Sequence, residues 1–426
     1  MPIRIFALSN DGKLFLLGLT FGKSLYIVNL AILKYYFKFA RLIMYYKRNL
    51  EAEIKETIRH FPVIAIIGPR QCGKSTLAKH IMDDFNEIDY LDLEKPSDLQ
   101  KLNNAQLYLS AQRKKLICID EVQRKPELFP LIRALVDEWN NKGAFLILGS
   151  ASRDLLKQSS ESLAGRISYK RLTPFLIDEL AQAKDYSLER YFTHGGFPGS
   201  YLADNDKIAD EWLTNFISTF LERDMLFWEG FTPMTMRRLW QMLAHVNGQT
   251  VNYSALASSL DVSSVTVKSY IDLLGSTFMV EIIQPWFSNM GKRLVKAPKV
   301  YIGDSGILCN LIGLNSYNGL MGHPVFGSVW EQIVLSNLRG NLPNAEIYYY
   351  RTSAGAEIDF VIKNRDKIFA VECKASLSPK LSKGNYNAIR DIDPEKSFVV
   401  FPGEKGWPIE ENIDAVSINE LIEGLK

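Results

Sequence analysis

Short runs of apolar residues alternate with amphipathic stretches along much of the chain. Such runs cover 62–67, 116–119 and 144–148, and each ends in glycine or in acidic residues. Runs of this length and character are typical of buried parallel strands. The pattern therefore predicts an α/β protein whose core is a parallel sheet.

The first run leads directly into Gly68-Pro-Arg-Gln-Cys-Gly-Lys74-Ser75, and a helical pattern follows. This matches GxxxxGK[ST] between a strand and a helix, the arrangement of a P-loop. Glycines let backbone N–H groups surround phosphates, and the helix N-terminus adds partial positive charge. Lys74 would reach the β- and γ-phosphates, and Ser75 would bind Mg²⁺. The alternative is a structural turn. The residues predicted to bind the nucleotide are Gly68, Pro69, Arg70, Gln71, Cys72, Gly73, Lys74, Ser75 and Thr76.

The second run ends in Asp120 and Glu121. Asp120, at the carboxyl end of its strand, can complete the Mg²⁺ shell. Glu121 is placed to act as the general base that polarises the attacking water. The alternative is a pair of solvated acids in a loop.

Three further residues are candidates for sensing or stabilising the γ-phosphate. Ser150, after the third run, could contact the phosphate or the lytic water, or it could cap a helix. Arg166, on a turn that contains Gly165, could be an arginine finger in the same chain or from a neighbouring subunit, or a surface arginine. Arg223 is similarly ambiguous, and an internal ion pair with Asp224 is the simpler interpretation.

The middle of the chain predicts a helical lid over 181–245, followed by a winged helix over 246–310. The segments 253–260 and 264–274 form a helix–turn–helix pattern, which precedes strand-like residues and a basic stretch. If this part binds DNA, Ser264, Thr266 and Lys268 would face the groove. The alternative is contact with a subunit or another protein. The basic residues predicted to contact DNA are Lys268 in the groove and Lys292, Arg293, Lys296 and Lys299 in the wing, where the lysines would contact phosphates.

A second chemical pattern lies in the C-terminal part, predicted as one α/β domain over 311–426. A helix carries Glu331, and successive strands carry Asp359 and then Glu372 with Lys374. This is the D…ExK arrangement of metal-dependent restriction-type nucleases, and the fold resembles that class. Glu331, Asp359 and Glu372 would bind Mg²⁺, and Lys374 would orient or polarise the attacking water. The alternative is an inert interaction module with a partly buried ion network.

Six separated motifs recur in the same order in one family. From Met44 to about Ser376, the chain resembles the prokaryotic AAA-type ATPases with a C-terminal domain of unknown function, number 4143. That resemblance implies a P-loop ATPase core over 44–180. The family often has Thr where this chain has Leu148, so Ser150 is the only sensor candidate in that stretch. The motifs are Gly68-Pro-Arg-Gln-Cys-Gly-Lys-Ser75, Asp120-Glu-Val-Gln123, Leu148-Gly-Ser150, Ser162-Leu-Ala-Gly-Arg166, Gly195-Gly-Phe-Pro198 and Glu222-Arg-Asp224.

The first 43 residues differ from the remainder in composition. The stretch 14–33 is apolar and almost long enough to span a bilayer, with one lysine inside. Three interpretations compete: a membrane anchor, a hydrophobic docking helix, and a start codon placed too early, the native start being Met44. We favour the last. This extension holds six basic residues and one acidic residue, leaving 44 basic and 47 acidic residues in the rest of the chain.

The composition of the 426 residues is that of an ordinary globular protein, with 47% hydrophobic and 23% charged residues and a net charge of +2. No overall basic character points to nucleic acid, so any DNA contact must come from local patches. The four cysteines have no metal-binding or disulfide spacing, which indicates a reducing cytoplasm.

Taken together, the patterns predict a cytoplasmic ATPase that uses Mg²⁺ and couples hydrolysis to DNA binding or processing. The alternative function is a nucleotide-dependent switch that binds DNA or a protein and cuts nothing. A homo-oligomer is plausible, since most AAA-type cores use an arginine from a neighbouring subunit.

Overall fold

A computed structural model describes most of the chain. The described residues are 45–150, 162–181, 183, 185–224, 231–287 and 295–426, together with the backbone of 4–8, 16–21 and 24–29. The chain divides into two compact units, 1–47 and 48–426.

The first unit contains an antiparallel sheet of three strands: β1 (Arg4–Leu8), β2 (Leu16–Phe21) and β3 (Ser24–Asn29). Leu8 pairs with Leu16, and Phe21 pairs with Ser24. The described part of 14–33 therefore forms strands, so the alternative of a docking helix is wrong there, while the membrane-anchor alternative and the favoured early start codon stay predictions. Glycine weakens a helix in this stretch, whereas its β-branched and aromatic residues favour strands. Among the described residues, no helix has the length and apolar character needed to cross a membrane.

The second unit begins with the predicted parallel sheet, and this part of the fold prediction is confirmed. Its strands are β4 (Val63–Gly68), β5 (Ile88–Asp92), β6 (Leu116–Asp120), β7 (Phe145–Ser150) and β8 (Ile167–Arg171). The strand order is β5-β6-β7-β4-β8, and all neighbours are parallel. All residues of β4 and β6 are buried, which explains their unbroken apolar character. The carboxyl ends of all five strands lie at one edge of the sheet.

Helices cover this sheet: α1 (Leu50–Thr57), α2 (Lys74–Met82), α3 (Pro96–Lys101), α4 (Ala105–Ala111) and α5 (Leu128–Trp139), with short 3₁₀ turns at Leu102–Asn104 and Val122–Arg124. In α5, Leu128, Ile132, Leu135 and Trp139 recur at helical spacing and are buried. The Trp139 ring stacks on Phe145 of β7 at a centroid distance of 5.6 Å. Each fully buried side chain of this size contributes roughly 1.5–3 kcal/mol.

The middle part is helical, as predicted. Its elements are α6 (Ile177–Leu180), α7 (Leu188–His194), α8 (Pro198–Tyr201), α9 (Asp206–Thr219), a π-helical turn (Phe220–Asp224) and α10 (Pro233–His245). Gly195 has φ 68°, and a Cβ there would lie 2.0 Å from Asp304 Oδ1. The amide of Gly196 donates to Asp304 Oδ2 at 2.8 Å. The two glycines of the 195–198 motif thus leave room for the buried carboxylate of Asp304 to pack against the backbone.

A helix–turn–helix and a hairpin follow: β9 (Gln249–Thr250), α11 (Tyr253–Leu260), α12 (Ser264–Ser276), β10 (Val280–Pro285), β11 (Lys299–Ile302), α13 (Ser305–Leu311) and α14 (Tyr317–Met321). Asp261 turns the chain with φ 54°, and the Ser263 side chain caps α12. β10 and β11 are antiparallel. The element order is the predicted one, while its interpretation as a winged helix stays a prediction.

The C-terminal part comprises α15 (Phe326–Asn341), β12 (Glu346–Arg351), β13 (Glu357–Asn364), β14 (Lys367–Cys373), α16 (Lys383–Ile392), β15 (Lys396–Val400), β16 (Trp407–Glu410), β17 (Ile413–Val416) and α17 (Ile418–Leu425). Its strands join those of the hairpin in a nine-stranded sheet of order β16-β17-β15-β14-β13-β12-β10-β11-β9. The junction is parallel pairing of Gln284 with Tyr348 and of Pro285 with Tyr349. The predicted domains 246–310 and 311–426 therefore share one sheet.

Candidate functional site

The loop 68–73 connects the carboxyl end of β4 to the N-terminus of α2. Gln71 and Gly73 have φ of 58° and 102°, so the backbone turns sharply before the helix begins at Lys74. A Cβ on Gly68 would lie 2.1 Å from the carbonyl oxygen of Leu172, so only glycine fits there. Cys72 is buried and Thr76 is exposed. The unpaired amides of the first helical turn make this loop suited to an anion.

Lys74 is buried inside this loop, where its ammonium is held by backbone carbonyls. Its Nζ donates to the oxygens of Gly68 at 3.1 Å and Pro69 at 2.8 Å. The positive charge is thereby fixed within the turn that the sequence predicts to surround phosphate groups.

Ser75 and Asp120 come together although their elements are separate in the sequence. Ser75 Oγ donates to Asp120 Oδ2 at 2.6 Å, and Tyr90 OH donates to the same oxygen at 2.5 Å. Burial and the adjacent Asp120 raise the pKa of Tyr90, which keeps it a donor at neutral pH. A hydroxyl and a carboxylate at this edge are oxygen donors of the kind that Mg²⁺ prefers, so these residues fit the predicted metal.

Glu121 follows Asp120 in a left-handed conformation, with φ 57°. Its amide donates to Asp120 Oδ1 at 3.0 Å, and Gln123 Nε2 donates to its carboxylate. Glu121 therefore lies at the P-loop edge of the sheet, and its side chain is held by a neighbour two residues on.

Arg48 supports the P-loop through its backbone, and no sequence motif indicated this role. Its guanidinium donates to the carbonyl oxygens of Cys72 (3.0 Å), Thr173 (2.6 Å) and Pro174 (3.1 Å) and pairs with Glu179 at 2.9 Å. Only 3% of the Arg48 side chain is exposed. The fork of five N–H donors suits this role, which a lysine could not fill.

The remaining nucleotide-site candidates do not all lie near the loop. Ser150 ends β7, but its side chain falls outside the described residues. Arg166 pairs with Asp137 through two contacts of 2.5 and 2.9 Å. Its carbonyl accepts from the amide of Val63, at the amino end of β4 and roughly 16 Å from the loop. A role for Arg166 as an arginine finger within its own chain is therefore wrong, while a role in a neighbouring subunit stays a prediction.

Arg223 forms an internal ion pair, though with a different partner from the one expected. Its Nη2 lies 2.8 Å from Glu94 Oε1, just beyond the carboxyl end of β5. The side chain of Asp224 falls outside the described residues. The contact joins the π-helical turn of the middle part to the P-loop edge of the parallel sheet.

A cavity of about 640 Å³ lies between the middle and C-terminal parts. The residues predicted for nuclease chemistry, Glu331, Asp359, Glu372 and Lys374, all line it. Lys374 Nζ contacts Glu372 Oε1 at 2.6 Å, and Asp359 Oδ2 accepts from the amide of Cys373 at 3.0 Å. Burial, together with the negative charge of Asp359, raises the pKa of Glu331 and of Glu372 to about 8. The structure thus gathers the four residues around one polar space.

The three carboxylates do not form a ready metal site. Among the described residues, no group of three or more His, Cys, Asp or Glu side chains is arranged to hold one ion. The predicted ligand set of Glu331, Asp359 and Glu372 is therefore not assembled here, because other side chains occupy these carboxylates. Tyr301 OH donates to Glu331 at 3.0 Å, and Lys299 Nζ lies 3.5 Å from Asp359 Oδ1.

Lys299 corrects another expectation. Its side chain is only 3% exposed, so it is not an exposed wing lysine. Burial alone would lower its pKa, but Asp359, Glu331 and Glu357 outweigh burial and raise it. No local pattern in the sequence indicated this burial, because the carboxylates that pair with Lys299 lie on β13.

The other residues predicted to contact DNA differ in their exposure, and two of them are not described by the structure. Ser264 and Lys268 are exposed on α12, Thr266 is partly buried, and Lys296 is exposed. Lys292 and Arg293 fall outside the described residues. The contacts of these residues with DNA stay predictions.

Three family models match successive parts of the chain. An AAA domain covers 60–181, a domain of unknown function (DUF8612) covers 185–318, and a domain of unknown function (DUF4143) covers 326–421. The first contains the P-loop site, and the last contains Glu331, Asp359, Glu372 and Lys374.

Known relatives match most of the chain. An uncharacterized protein of Mycobacterium tuberculosis is 36% identical over 377 residues, which is 88% of this chain and 84% of the relative. An uncharacterized protein of Methanocaldococcus jannaschii is 23% identical and covers 76% of this chain and 77% of its own length. Among solved structures, the Walker-type ATPase PABY2304 of Pyrococcus abyssi is similar, with 15% identity, a TM-score of 0.46, and coverage of 63% of this chain and 96% of its own. The chain belongs to the family of prokaryotic AAA-type ATPases that carry a C-terminal DUF4143 domain.

Proposed function

We propose that this ATPase hydrolyses ATP with Mg²⁺ and passes its nucleotide state through α15 to the C-terminal cavity, where DNA is processed. The observation that carries the proposal is the position of α15. One end of this helix lines the cavity with Glu331, and the other end contacts the segment that supports the P-loop.

Hydrolysis follows from the side chains at the P-loop edge. Ser75 and Asp120 would hold Mg²⁺, which neutralises phosphate charge when bound. Lys74 would exchange its two loop carbonyls for phosphate oxygens. Glu121, once Gln123 releases it, would accept the proton of the water that attacks the γ-phosphorus as the bond to ADP breaks.

Glu121→Gln tests this assignment. The amide keeps the shape of the side chain but cannot accept a proton, so the variant should bind ATP with unchanged affinity and lose about 10²-fold or more in turnover. Steady-state phosphate release and equilibrium nucleotide binding measure the two properties. Glu138→Gln, an exposed position on α5, is the matched control. Normal hydrolysis by Glu121→Gln would remove Glu121 as the base.

The connection to the cavity runs along α15 in two contacts. Asn337, which is fully buried, accepts a hydrogen bond from the amide of Ile177 at 2.8 Å. Asn341 accepts from Asn49 Nδ2 at 3.2 Å. Asn49 follows Arg48, whose guanidinium holds the P-loop. A displacement of the loop on binding nucleotide is therefore transmitted to a rigid helix that reaches the cavity.

A partly buried charge cluster reinforces this connection. Glu281 on β10 pairs with Arg171 at the carboxyl end of β8 and with Arg339 of α15, the latter at 3.4 Å. The parallel sheet, the hairpin and α15 thus meet at one carboxylate. Removing Glu281 would leave two partly buried arginines without their shared carboxylate.

The DNA part of the proposal draws on the cavity and the exposed face of α12. A polar cavity lined by Glu331, Asp359, Glu372 and Lys374 suits a phosphodiester bound with a metal ion, and Lys374 would orient a water beside Glu372. Wild type is expected to cut DNA in the presence of Mg²⁺ or Mn²⁺. ATPase turnover should rise when duplex DNA is added, and the rise should decrease with salt.

Lys374→Ala tests the cavity separately from the ATPase. Cleavage should fall by about 10²-fold or more, while ATP turnover without DNA stays at the wild-type rate, because Lys374 is far from the P-loop. Lys380→Ala, an exposed lysine in the following loop, should leave both activities intact. If wild type never nicks DNA with any divalent metal, the nuclease part of the proposal fails.

The second candidate function is a nucleotide-dependent switch that binds DNA or a protein without cutting it. The observation in its favour is that lysine ammonium groups already pair with Asp359 and Glu372, and the Tyr301 hydroxyl already donates to Glu331. DNA-stimulated ATP hydrolysis without cleavage would identify this function.

A further inference from the structure

Lys299 enters the C-terminal cavity from outside the C-terminal domain. It is the first residue of β11, whose neighbours in the sheet are β10 and β9. Its Nζ lies 3.0 Å from Glu357 Oε1 and 3.5 Å from Asp359 Oδ1. A hairpin of the middle part therefore supplies a positive charge to carboxylates of β13.

The position of this ammonium matters because Asp359 is the central carboxylate of the cavity. Its second oxygen already accepts from the backbone amide of Cys373. Its Oδ1 is the oxygen that faces Lys299, 3.5 Å from Nζ. An ammonium and a metal ion cannot share that oxygen at close range, since like charges there would repel strongly in a buried site.

One oxygen of Glu372 is still open to a cation. Glu372 is 6% exposed, and its Oε2 has no hydrogen-bond partner among the described residues, while Oε1 is held by Lys374. An unpartnered, buried carboxylate oxygen is costly unless something pairs with it. Asp359 Oδ1 and Glu372 Oε2 are thus the candidate ligand oxygens for a divalent cation.

We propose that Lys299 is an internal competitor for a divalent cation at Asp359, so that the C-terminal site takes up the cation only when β11 withdraws the ammonium. This inference rests on the proposed function, which supplies the need for a metal in the cavity. Strand pairing connects Lys299 to the parallel sheet. Lys299 of β11 pairs with Ile283 of β10, and Glu281, also on β10, is bound by Arg171 and Arg339. A shift of the hairpin relative to the parallel sheet would move Lys299 directly.

Mn²⁺ binding to the full-length, nucleotide-free chain tests the proposal without reference to activity. The electron paramagnetic resonance signal of free Mn²⁺ gives the binding isotherm. Lys299→Met should gain a site that binds Mn²⁺ at least about tenfold more tightly than wild type does. Adding Asp359→Asn to that variant should abolish the gain. Any Mn²⁺ bound near Ser75 and Asp120 contributes equally to the isotherms of wild type and variants, so it does not affect the comparison.

Lys296→Met is the matched control, because Lys296 is exposed three residues earlier. It should bind Mn²⁺ as wild type does. Lys299→Met leaves Glu357 and Asp359 without their ammonium, so Lys299→Gln serves as a second variant, and Mn²⁺ should raise its Tm more than that of wild type. Identical isotherms for wild type, Lys299→Met and Lys299→Gln would overturn the proposal.

DNA cleavage on the same samples separates this idea from the proposed function. Wild type that cuts DNA, combined with unchanged Mn²⁺ binding in the Lys299 variants, would contradict the competition alone. Tighter Mn²⁺ binding in those variants without cleavage would support competition and contradict the nuclease role.

Discussion

Two arginine–carboxylate pairs show how burial determines what an ion pair contributes to the stability of the fold. Arg48 and Glu179 are nearly inaccessible, with 3% and 2% of their side chains exposed. Arg166 and Asp137 form an equally short pair on the surface, with 32% and 47% exposed. Burial raises the pKa of Glu179 even beside Arg48, so this carboxylate is costly to leave alone.

Arg48→Ala should therefore lower the free energy of unfolding by about 3–5 kcal/mol, since it strands a buried carboxylate and three backbone carbonyls. It should also weaken ATP binding, because the carbonyl of Cys72 in the P-loop loses its donor. Urea unfolding and nucleotide titration measure these effects. Arg166→Ala, the exposed counterpart, should leave both close to wild type. Equal effects from the two variants would contradict the role given to Arg48.

Individual residues differed in how well the sequence predicted them. Ser75 and Asp120 could be placed at the same edge of the parallel sheet. The P-loop follows the carboxyl end of one strand, and Asp120 is the carboxyl end of another. Lys299 was misplaced, since its proximity to lysines in 292–296 indicated an exposed wing. Its true partners, Glu357 and Asp359, are about 60 residues away in the chain, and no local pattern carries that pairing. Arg48 belongs to no motif, so only the folded backbone reveals it.

At the scale of elements, α15 illustrates how small residues allow close packing. Gly340 lies near its C-terminal end, and a Cβ there would be 2.6 Å from Leu176 Cδ2 and 3.1 Å from Leu176 Cγ. Leu176 is buried and immediately precedes α6, whose Glu179 pairs with Arg48. The helix therefore approaches the segment that supports the P-loop only because glycine occupies this position.

Gly340→Ala should destabilise the protein by about 1 kcal/mol, because overpacking outweighs the better helix propensity of alanine. By pushing α15 away from Leu176, it should also reduce the stimulation of ATP turnover by DNA. Thermal unfolding and turnover with and without duplex DNA measure both. Gly327→Ala in the same helix has no atom within 4 Å of the new Cβ, so its stability should be unchanged or higher. A stable, fully stimulated Gly340→Ala would show that this contact carries no signal.

Element types were readable from the sequence where periodicity was strong, as in β4, β6, α5 and α12. Which elements pair with each other in the fold was harder to predict from the sequence. β10 meets β12 through only two residue pairs separated by more than 60 positions, and this junction fuses what the sequence presented as two domains. The apolar residues 16–21 and 24–29 form strands although their composition suggested a helix, because apolar character alone does not distinguish the two.

At the scale of the whole molecule, the nucleotide site and the cavity belong to one compact unit that spans 48–426. Two connections link them: the amide contacts of Asn337 and Asn341, and the charge cluster around Glu281. The cluster lies on β10, which pairs with β11, the strand that carries Lys299. If the proposed function is correct, binding at one site should depend thermodynamically on binding at the other, and that dependence has a quantitative consequence.

If binding at one site changes the affinity at the other by some factor, the reverse effect must have the same factor, typically 5- to 150-fold. A chain carrying both Glu121→Gln and Lys374→Ala allows the measurement, since it consumes neither ATP nor DNA. The Kd for ATP should change when saturating duplex DNA is added, and the Kd for DNA should change equally with saturating ATP, at one fixed salt concentration. Adding Gly340→Ala should move both ratios toward one, whereas Gly327→Ala should leave them as they were. Two ratios of one in the parent chain would mean that the sites act independently and that α15 serves only to hold the domains together.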